Sequence, residues 1–137
     1  MDERPPFTIP IRVYFEDTDA GGVVFHANYV KFLERARTDW LRAHGITQST
    51  LKRDRNLLFA IVDMDVRFRA PARLDDELLA SCTLDERRSA SLAFSQTIVR
   101  AADGALLVEA KVRAASLDAG TFRPVPLPSD LIPENLR

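Results

Sequence analysis

From Leu58 to Phe68 every second residue is apolar: Leu58, Ala60, Val62, Met64, Val66 and Phe68 form one set. Ile61, Asp63, Asp65, Arg67 and Arg69 form the other, which is mostly charged. A period of two with one apolar and one charged face is the mark of a half-buried strand. "PARLDD" after it reads as a turn, because proline and aspartate favour one. Leu78, Ala80, Cys82 and Leu84 alternate with Leu79, Ser81 and Thr83 in a second strand, and "DERRSA" separates it from a third over about 91–101. In that third strand Leu92, Phe94 and Ile98 share a face. "ADG" at 102–104 suits a hairpin, since Asp-Gly accepts the positive φ angles required. Leu106, Val108, Ala110, Val112 and Ala114 then face one way, opposite Glu109, Lys111 and Arg113.

Two elements come earlier. Ile9, Ile11, Val13 and Phe15 alternate with Thr8, Arg12 and Tyr14 as a first strand. In "NYVKFLERARTDWLRAHG" the period changes: Tyr29, Leu33, Ala36 and Trp40 recur at helical spacing, flanked by Phe32, Arg37 and Leu41. Asn28 is the predicted N-cap, Gly45 the residue past the end, and His44 a cation for the last turn. The tail "RPVPLPSDLIPENLR" is expected to be extended, with at most a short helical turn. The predicted order is therefore β, one long helix, then four strands in a meander. This is an α+β fold with a mainly antiparallel sheet of about five strands around one helix. A helix of about 16 residues is roughly 24 Å long and can cover only one face of a curved sheet. Exposed edges invite pairing with another chain, so a homo-oligomer is expected.

Composition narrows the picture. The 137 residues fit one domain, 1–137, without repeat, linker or low-complexity tract. A net charge of −1 implies no general attraction to nucleic acid or an anionic membrane. No apolar run approaches the roughly 20 residues of a membrane helix, so no membrane insertion is expected. The start, "MDERPPFTIP", lacks the apolar core of a leader, and the single cysteine, Cys82, fits a reducing compartment. A cytoplasmic protein is expected.

Chemistry concentrates in "EDTDAGGVVFHANY", residues 16–29, directly before the helix. A helix N-terminus presents unpaired N–H groups and positive dipole, which can hold a developing oxyanion. Val24 to Asn28 would sit there. Gly21 and Gly22 allow tight turning and close approach, Asp19 can act as a base or nucleophile, and His26 can exchange a proton near neutrality. The plain alternative is a polar turn, with Asp17 satisfying backbone N–H groups. D-x-D also occurs in magnesium sites and aspartyl-phosphate phosphatases. Those place it after a strand of a parallel α/β sheet, which a chain with one long helix does not provide.

Asp17 to Arg37 reads D-T-D-x-x-G-V-V-F-H-x-x-Y-x-x-F-x-E-x-A-R. This stretch, together with "RFRAPARLDD", resembles the hotdog-fold acyl-CoA thioesterases of the 4-hydroxybenzoyl-CoA thioesterase-like branch, and within it the Tol-Pal-associated acyl-CoA thioesterases. The likeness runs over nearly the whole chain. It implies a hotdog domain that hydrolyses the thioester of acyl-CoA, or of acyl carrier protein, to acid and thiol without metal or redox cofactor. It also implies a dimer as the minimal unit and often a homotetramer. Asp19 matches the catalytic carboxylate, as nucleophile or general base. His26 matches the histidine at the helix start, whose N–H would polarise the carbonyl, and Gly22, Val23, Val24 and Phe25 form the adjoining backbone. Phe15 and Phe25 stand where relatives often carry tyrosine.

Other residues carry two readings each. Asp17 reads as loop-shaping. Glu34 and Arg37 form either a helix-surface pair or a buried or interface group. Arg87, Arg88 and Ser91 form either a solvated turn or a clamp on the coenzyme A phosphates. Cys82 and Trp40 read as core. Two rival functions are a hotdog dehydratase acting on 3-hydroxyacyl thioesters, against which the D-T-D loop argues, and an acyl-thioester-binding scaffold with little or no turnover.

Overall fold

The computed structural model describes residues 6–132. Residues 1–5 of the charged N-terminal stretch and 133–137 of the proline-rich tail lie outside the described residues. The elements are β1 (Phe7–Arg12), α1 (His26–Ala43), α2 (Gln48–Arg55), β2 (Leu57–Phe68), β3 (Glu77–Arg87), β4 (Ser91–Arg100) and β5 (Leu106–Asp118). All strand pairs are antiparallel, and they form one five-stranded sheet in the order β1-β3-β4-β5-β2.

That order corrects the simple meander. Only β3, β4 and β5 follow one another; β2 lies at the far edge beside β5, and β1 at the other edge beside β3. Residues 69–76 are therefore not a hairpin turn but a crossover from one edge of the sheet to β3. Three strand spacings amount to roughly 14 Å, well within reach of eight residues. The crossover passes beneath the N-terminus of α1, where the Ala72 N–H donates to the Tyr29 hydroxyl at 2.9 Å.

The helix buries Tyr29, Phe32, Leu33, Ala36, Arg37, Trp40 and Leu41 against the sheet. Facing them are Leu78, Ala80, Cys82 and Leu84 of β3, Leu92, Phe94 and Ile98 of β4, and Val108, Ala110, Val112 and Ala114 of β5. These are the alternating sets of the sequence, because each side chain's face follows from the pleat. At its C-terminus α1 closes with paired bonds, Gly45 N–H to Arg42 carbonyl (3.0 Å) and Ile46 N–H to Leu41 carbonyl (2.9 Å). Gly45 adopts the left-handed φ of 82° that this closure needs.

Four further expectations need correction. First, β1 ends at Arg12; Phe15–Asp17 form a short 3₁₀ turn, and the Phe15 side chain is exposed rather than on the strand's apolar face. The cause is Asp17, whose Oδ2 takes the Tyr14 N–H at 2.8 Å and bends the chain away from the ladder. Second, α1 starts at His26, not after an Asn28 cap; the Asn28 Nδ2 instead donates to Asp17 Oδ1 at 3.0 Å. Third, β2 does not keep one apolar phase. Register shifts between Ile61 and Asp63, leaving Val62 as a bulge residue. Leu57 is buried and Phe59 packs on the core before the bulge, whereas Met64 and Val66 do so after it. Fourth, α2 has no apolar stripe to betray it: Leu51 is its only buried residue. The signals were Thr47 before it and Asn56 after it, the latter in a left-handed conformation.

The tail 123–132 runs back over the sheet, with Leu127 and Ile132 buried. Arg87 holds it: Nε donates to the Ile132 carbonyl at 2.8 Å and Nη2 to the Pro128 carbonyl at 3.2 Å. Hydrogen bonds from a charged donor contribute about 1.5–3 kcal/mol each at best, and these are only partly buried. Arg87→Ala should therefore lower stability by about 2 kcal/mol in urea unfolding and speed proteolytic cleavage of the tail. Unchanged cleavage and stability would show that the tail is held by its apolar contacts alone.

Candidate active site

The loop from 17 to 25 is a closed hydrogen-bonded unit. Asp19 N–H donates to the Val23 carbonyl (2.8 Å), Phe25 N–H to the Asp17 carbonyl (2.9 Å), and Gly22 N–H to the Asp19 carbonyl (3.0 Å). Gly22 carries a positive φ of 79°, which a side chain would oppose. Gly21 N–H donates to Asp19 Oδ1 at 2.8 Å, and a Cβ at Gly21 would lie 3.2 Å from that same oxygen. The glycine pair thus lets the chain fold back on the Asp19 carboxylate.

The two acids have different duties. Asp17 is occupied at both oxygens, by the Tyr14 N–H and by Asn28 Nδ2, and so ties the 3₁₀ turn to the first turn of α1. Asp19 is exposed and uses one oxygen on Gly21. Among the described residues its Oδ2 has no partner. His26 is the first residue of α1, and its exposed ring lies 4.6 Å from the Phe25 ring and 6.3 Å, edge on, from Phe68. Among the described residues no three His, Cys, Asp or Glu side chains cluster as a metal site.

The backbone expected to line an oxyanion pocket is mostly in use. Of Gly22, Val23, Val24, Phe25 and His26, three N–H groups are committed, at Gly22, at Phe25 and at Val24, whose N–H donates to the Ala72 carbonyl at 2.9 Å. The N–H groups of His26 and Ala27, at the start of α1, form no hydrogen bond among the described residues. The donors left for a ligand are thus those of the helix terminus together with the Val23 N–H, which also has no partner among the described residues, and most of the loop's other donors hold the loop. Ala27 lies within the 24–28 segment expected at the helix terminus but is not among the oxyanion residues singled out from the sequence, because a helix start placed at Asn28 puts it outside the helix.

Tyr29 is the other residue whose part only the fold reveals. It is buried, and its ring packs against Phe32 and Phe68. Its hydroxyl accepts the N–H of Ala72, whose carbonyl in turn accepts Val24. Burial pushes the Tyr29 hydroxyl up from its ordinary pKa, with Asp76 and Asp19 adding to the rise, so it stays protonated. From the other side Arg100 grips the crossover through Asp76 (3.2 Å) and the Pro71 carbonyl (2.8 Å).

Residues of the second group lie elsewhere. Arg87 spends its guanidinium on carbonyls of the tail. Arg88 pairs with Glu86 at 2.6 Å, and its N–H donates to the Ser91 carbonyl. Both residues and Ser91 sit at the end of β3 opposite the crossover, roughly 30 Å from it by strand rise. Within one chain they are not brought to Asp19. Glu34 and Arg37 are not bonded to each other: Glu34 accepts the Thr38 hydroxyl at 2.8 Å, and buried Arg37 donates to Gln96 Oε1 at 3.0 Å. Cys82 is buried, and desolvation pushes its thiol up to about 12, far from a nucleophile's range. A groove of about 780 Å³ between β1 and α1 includes Tyr14 and Asp17 but neither Asp19 nor His26.

Comparison with known proteins adds a family. Residues 13–133 match the thioesterase-like superfamily. An acyl-CoA thioester hydrolase YbgC of Escherichia coli is 46% identical over 93% of this chain and 94% of its own length. An acyl-CoA thioesterase YbgC of Haemophilus influenzae is 40% identical over 91% and 90%. The crystal structure of a probable thioesterase from Bartonella henselae superposes with a TM-score of 0.84 at 31% identity, covering 90% of this chain and all of that one.

Removing the Tyr29 hydroxyl isolates the tether. Tyr29→Phe leaves the buried Ala72 N–H without a partner, which should cost about 1–3 kcal/mol in thermal or urea unfolding. A loss below about 0.5 kcal/mol would mean that the crossover finds another partner for that group.

Proposed function

The chain belongs to the thioesterase-like superfamily and is a thioester-hydrolysing enzyme, and from that premise we propose that it cleaves acyl-CoA with Asp19 and the N-terminus of α1 as the reacting groups. One observation carries this assignment: an exposed carboxylate with one oxygen free lies in the loop that leads straight to two helix N–H groups, all without partners among the described residues. The substrate's carbonyl oxygen sits at the N–H groups of His26 and Ala27, where the helix dipole favours the charge that develops as the carbonyl carbon becomes tetrahedral. Asp19 then acts in one of two ways. As a base it takes a proton from water, the hydroxide attacks the carbonyl carbon, and the tetrahedral intermediate collapses with cleavage of the C–S bond as Asp19 returns the proton to the leaving thiolate. As a nucleophile its Oδ2 attacks, the C–S bond breaks, and water cleaves the resulting anhydride. Either route converts thioester and water to acid and thiol. The His26 ring orients the substrate or water at the same point, and Asp17 keeps the loop's shape.

The same reading takes 1–137 as one hotdog domain acting in the cytoplasm, with acyl carrier protein as a second possible carrier. It includes a homo-oligomer. Asp19 lies open on the surface, and β2 is an unpaired sheet edge with Ile61 43% and Val62 58% exposed. A second copy pairing along β2 would cover that edge and wall the site. No helix among the described residues is long and apolar enough to cross a membrane.

Two measurements test the proposal. Thiol release from a panel of acyl-CoAs and acyl carrier protein thioesters should fall at least about a hundredfold in Asp19→Asn and Asp19→Ala, the usual scale of a lost acid–base group. Mutants at wild-type rate would sink the role given to Asp19. In light scattering, the wild type should run at twice the chain mass or more, and Val62→Lys should shift it toward monomer with loss of activity. A fully active wild-type monomer would remove the oligomer from the account.

A further inference from the structure

Between α1 and the first half of β2 lies a second cavity, of about 130 Å³. Leu41, Phe59, Phe94 and Ala114 line it with apolar surface, Ile61 stands at its exposed side, and Arg37 and Gln48 supply polar groups. None of residues 16–29 takes part. Arg37 is eleven residues beyond His26 on α1, roughly 16 Å by helical rise. An apolar cavity of about 150 Å³ holds one benzene molecule, so this one suits a group of about five or six heavy atoms.

Arg37 is the unusual wall. It is only 7% exposed, yet its guanidinium makes a single hydrogen bond among the described residues, to the neutral Gln96 Oε1. Gln96 in turn is spent, its Nε2 donating to the carbonyls of Leu33 and Ser81. A guanidinium has five donors, and a buried one is normally paired with an anion. No carboxylate forms an ion pair with Arg37 among the described residues. Glu34, the acid on the same cavity, is exposed and bonded to Thr38. Cys82 is a neutral thiol. The cation thus has no direct ion-pair partner among the described residues, the Glu34 charge acting on it only from a distance, and it borders a partly open cavity.

We propose that this cavity binds a short-chain carboxylate, the carboxylate on Arg37 and a tail of about two or three carbons among Leu41, Phe59, Phe94 and Ala114. Repulsion from Glu34 is weakened by its exposure to solvent, whereas attraction to Arg37 acts at lower effective dielectric. The carboxylate is a free acid, which is also what thioester hydrolysis releases; at roughly 16 Å from His26 the cavity lies beyond the reach of the far end of a short acyl group whose thioester sits at the helix N-terminus. The site itself does not depend on the role given to Asp19.

Calorimetric titration of the full chain with butyrate and with neutral butyramide reads binding without turnover. Butyrate should bind, and butyramide at least about tenfold more weakly, the scale of one lost charge-assisted hydrogen bond. Arg37→Gln should weaken butyrate by a similar factor. Because that change also touches the Gln96 network, Ala114→Leu serves as the second variant: it fills the cavity, leaves Arg37 in place, and should abolish binding. No butyrate binding, equal binding of butyramide, or unchanged affinity in a folded Ala114→Leu would overturn the proposal. Butyrate should also bind without competing with acyl-CoA hydrolysis, and competition that Ala114→Leu leaves unchanged would place it at the catalytic loop and overturn the proposal. A failed titration with Asp19-dependent turnover intact would refute this site alone, and the reverse result would refute only the catalytic assignment.

Discussion

Ala72 is fully buried, and a buried peptide must satisfy both of its polar groups. Its N–H goes to the Tyr29 hydroxyl and its carbonyl to Val24 N–H, both at 2.9 Å. One peptide unit thereby joins three segments: the crossover, the first turn of α1 and the loop that carries Asp19. Breaking either bond leaves an unpaired group where water does not reach, so the three segments hold their relative positions together. The crossover is in turn braced by Arg100 on β4 and by backbone bonds between Val13 and the 75–76 segment. The candidate catalytic geometry is thus built on residues far apart in the chain.

The loop illustrates how little of a polar motif is free for chemistry. "EDTDAGGVVFHANY" has many donors and two acids, but most are consumed in closing the loop on itself. Asp17 is saturated, and the N–H groups of Gly22, Val24 and Phe25 are spent on carbonyls. Among the described residues, Asp19 Oδ2, the Val23 N–H and the first N–H groups of α1 are left without a partner. Internal bonding is what makes the remainder useful: a preorganised loop presents its free groups without paying to order them at the moment of reaction.

β2 shows a different constraint. Its bulge at Val62 turns the strand's apolar face over halfway along. Phe59 and Ile61 can then border the cavity beside Arg37, while Phe68 reaches Tyr29 and His26 at the other end. The same inversion leaves Ile61 and Val62 exposed on an edge strand, which is why that edge is the natural place for a second copy.

Local periodicity made much of this legible beforehand. The pleat dictates the faces of β3, β4 and β5, the 3.6-residue stripe dictates α1, and Gly45 and the Asp-Gly turn mark ends and reversals. The Asp17-to-Arg37 pattern indicated a thioesterase loop, and relatives named for that activity agree with it. These features depend on neighbours along the chain, so a sequence contains them. Strand order, the bulge in β2, the start of α1, the short α2 with its single buried leucine, and the partners of Tyr29, Arg37 and Arg87 do not. Each is decided by which distant group can meet a buried donor, charge or apolar face, and that competition is settled only when the chain is packed.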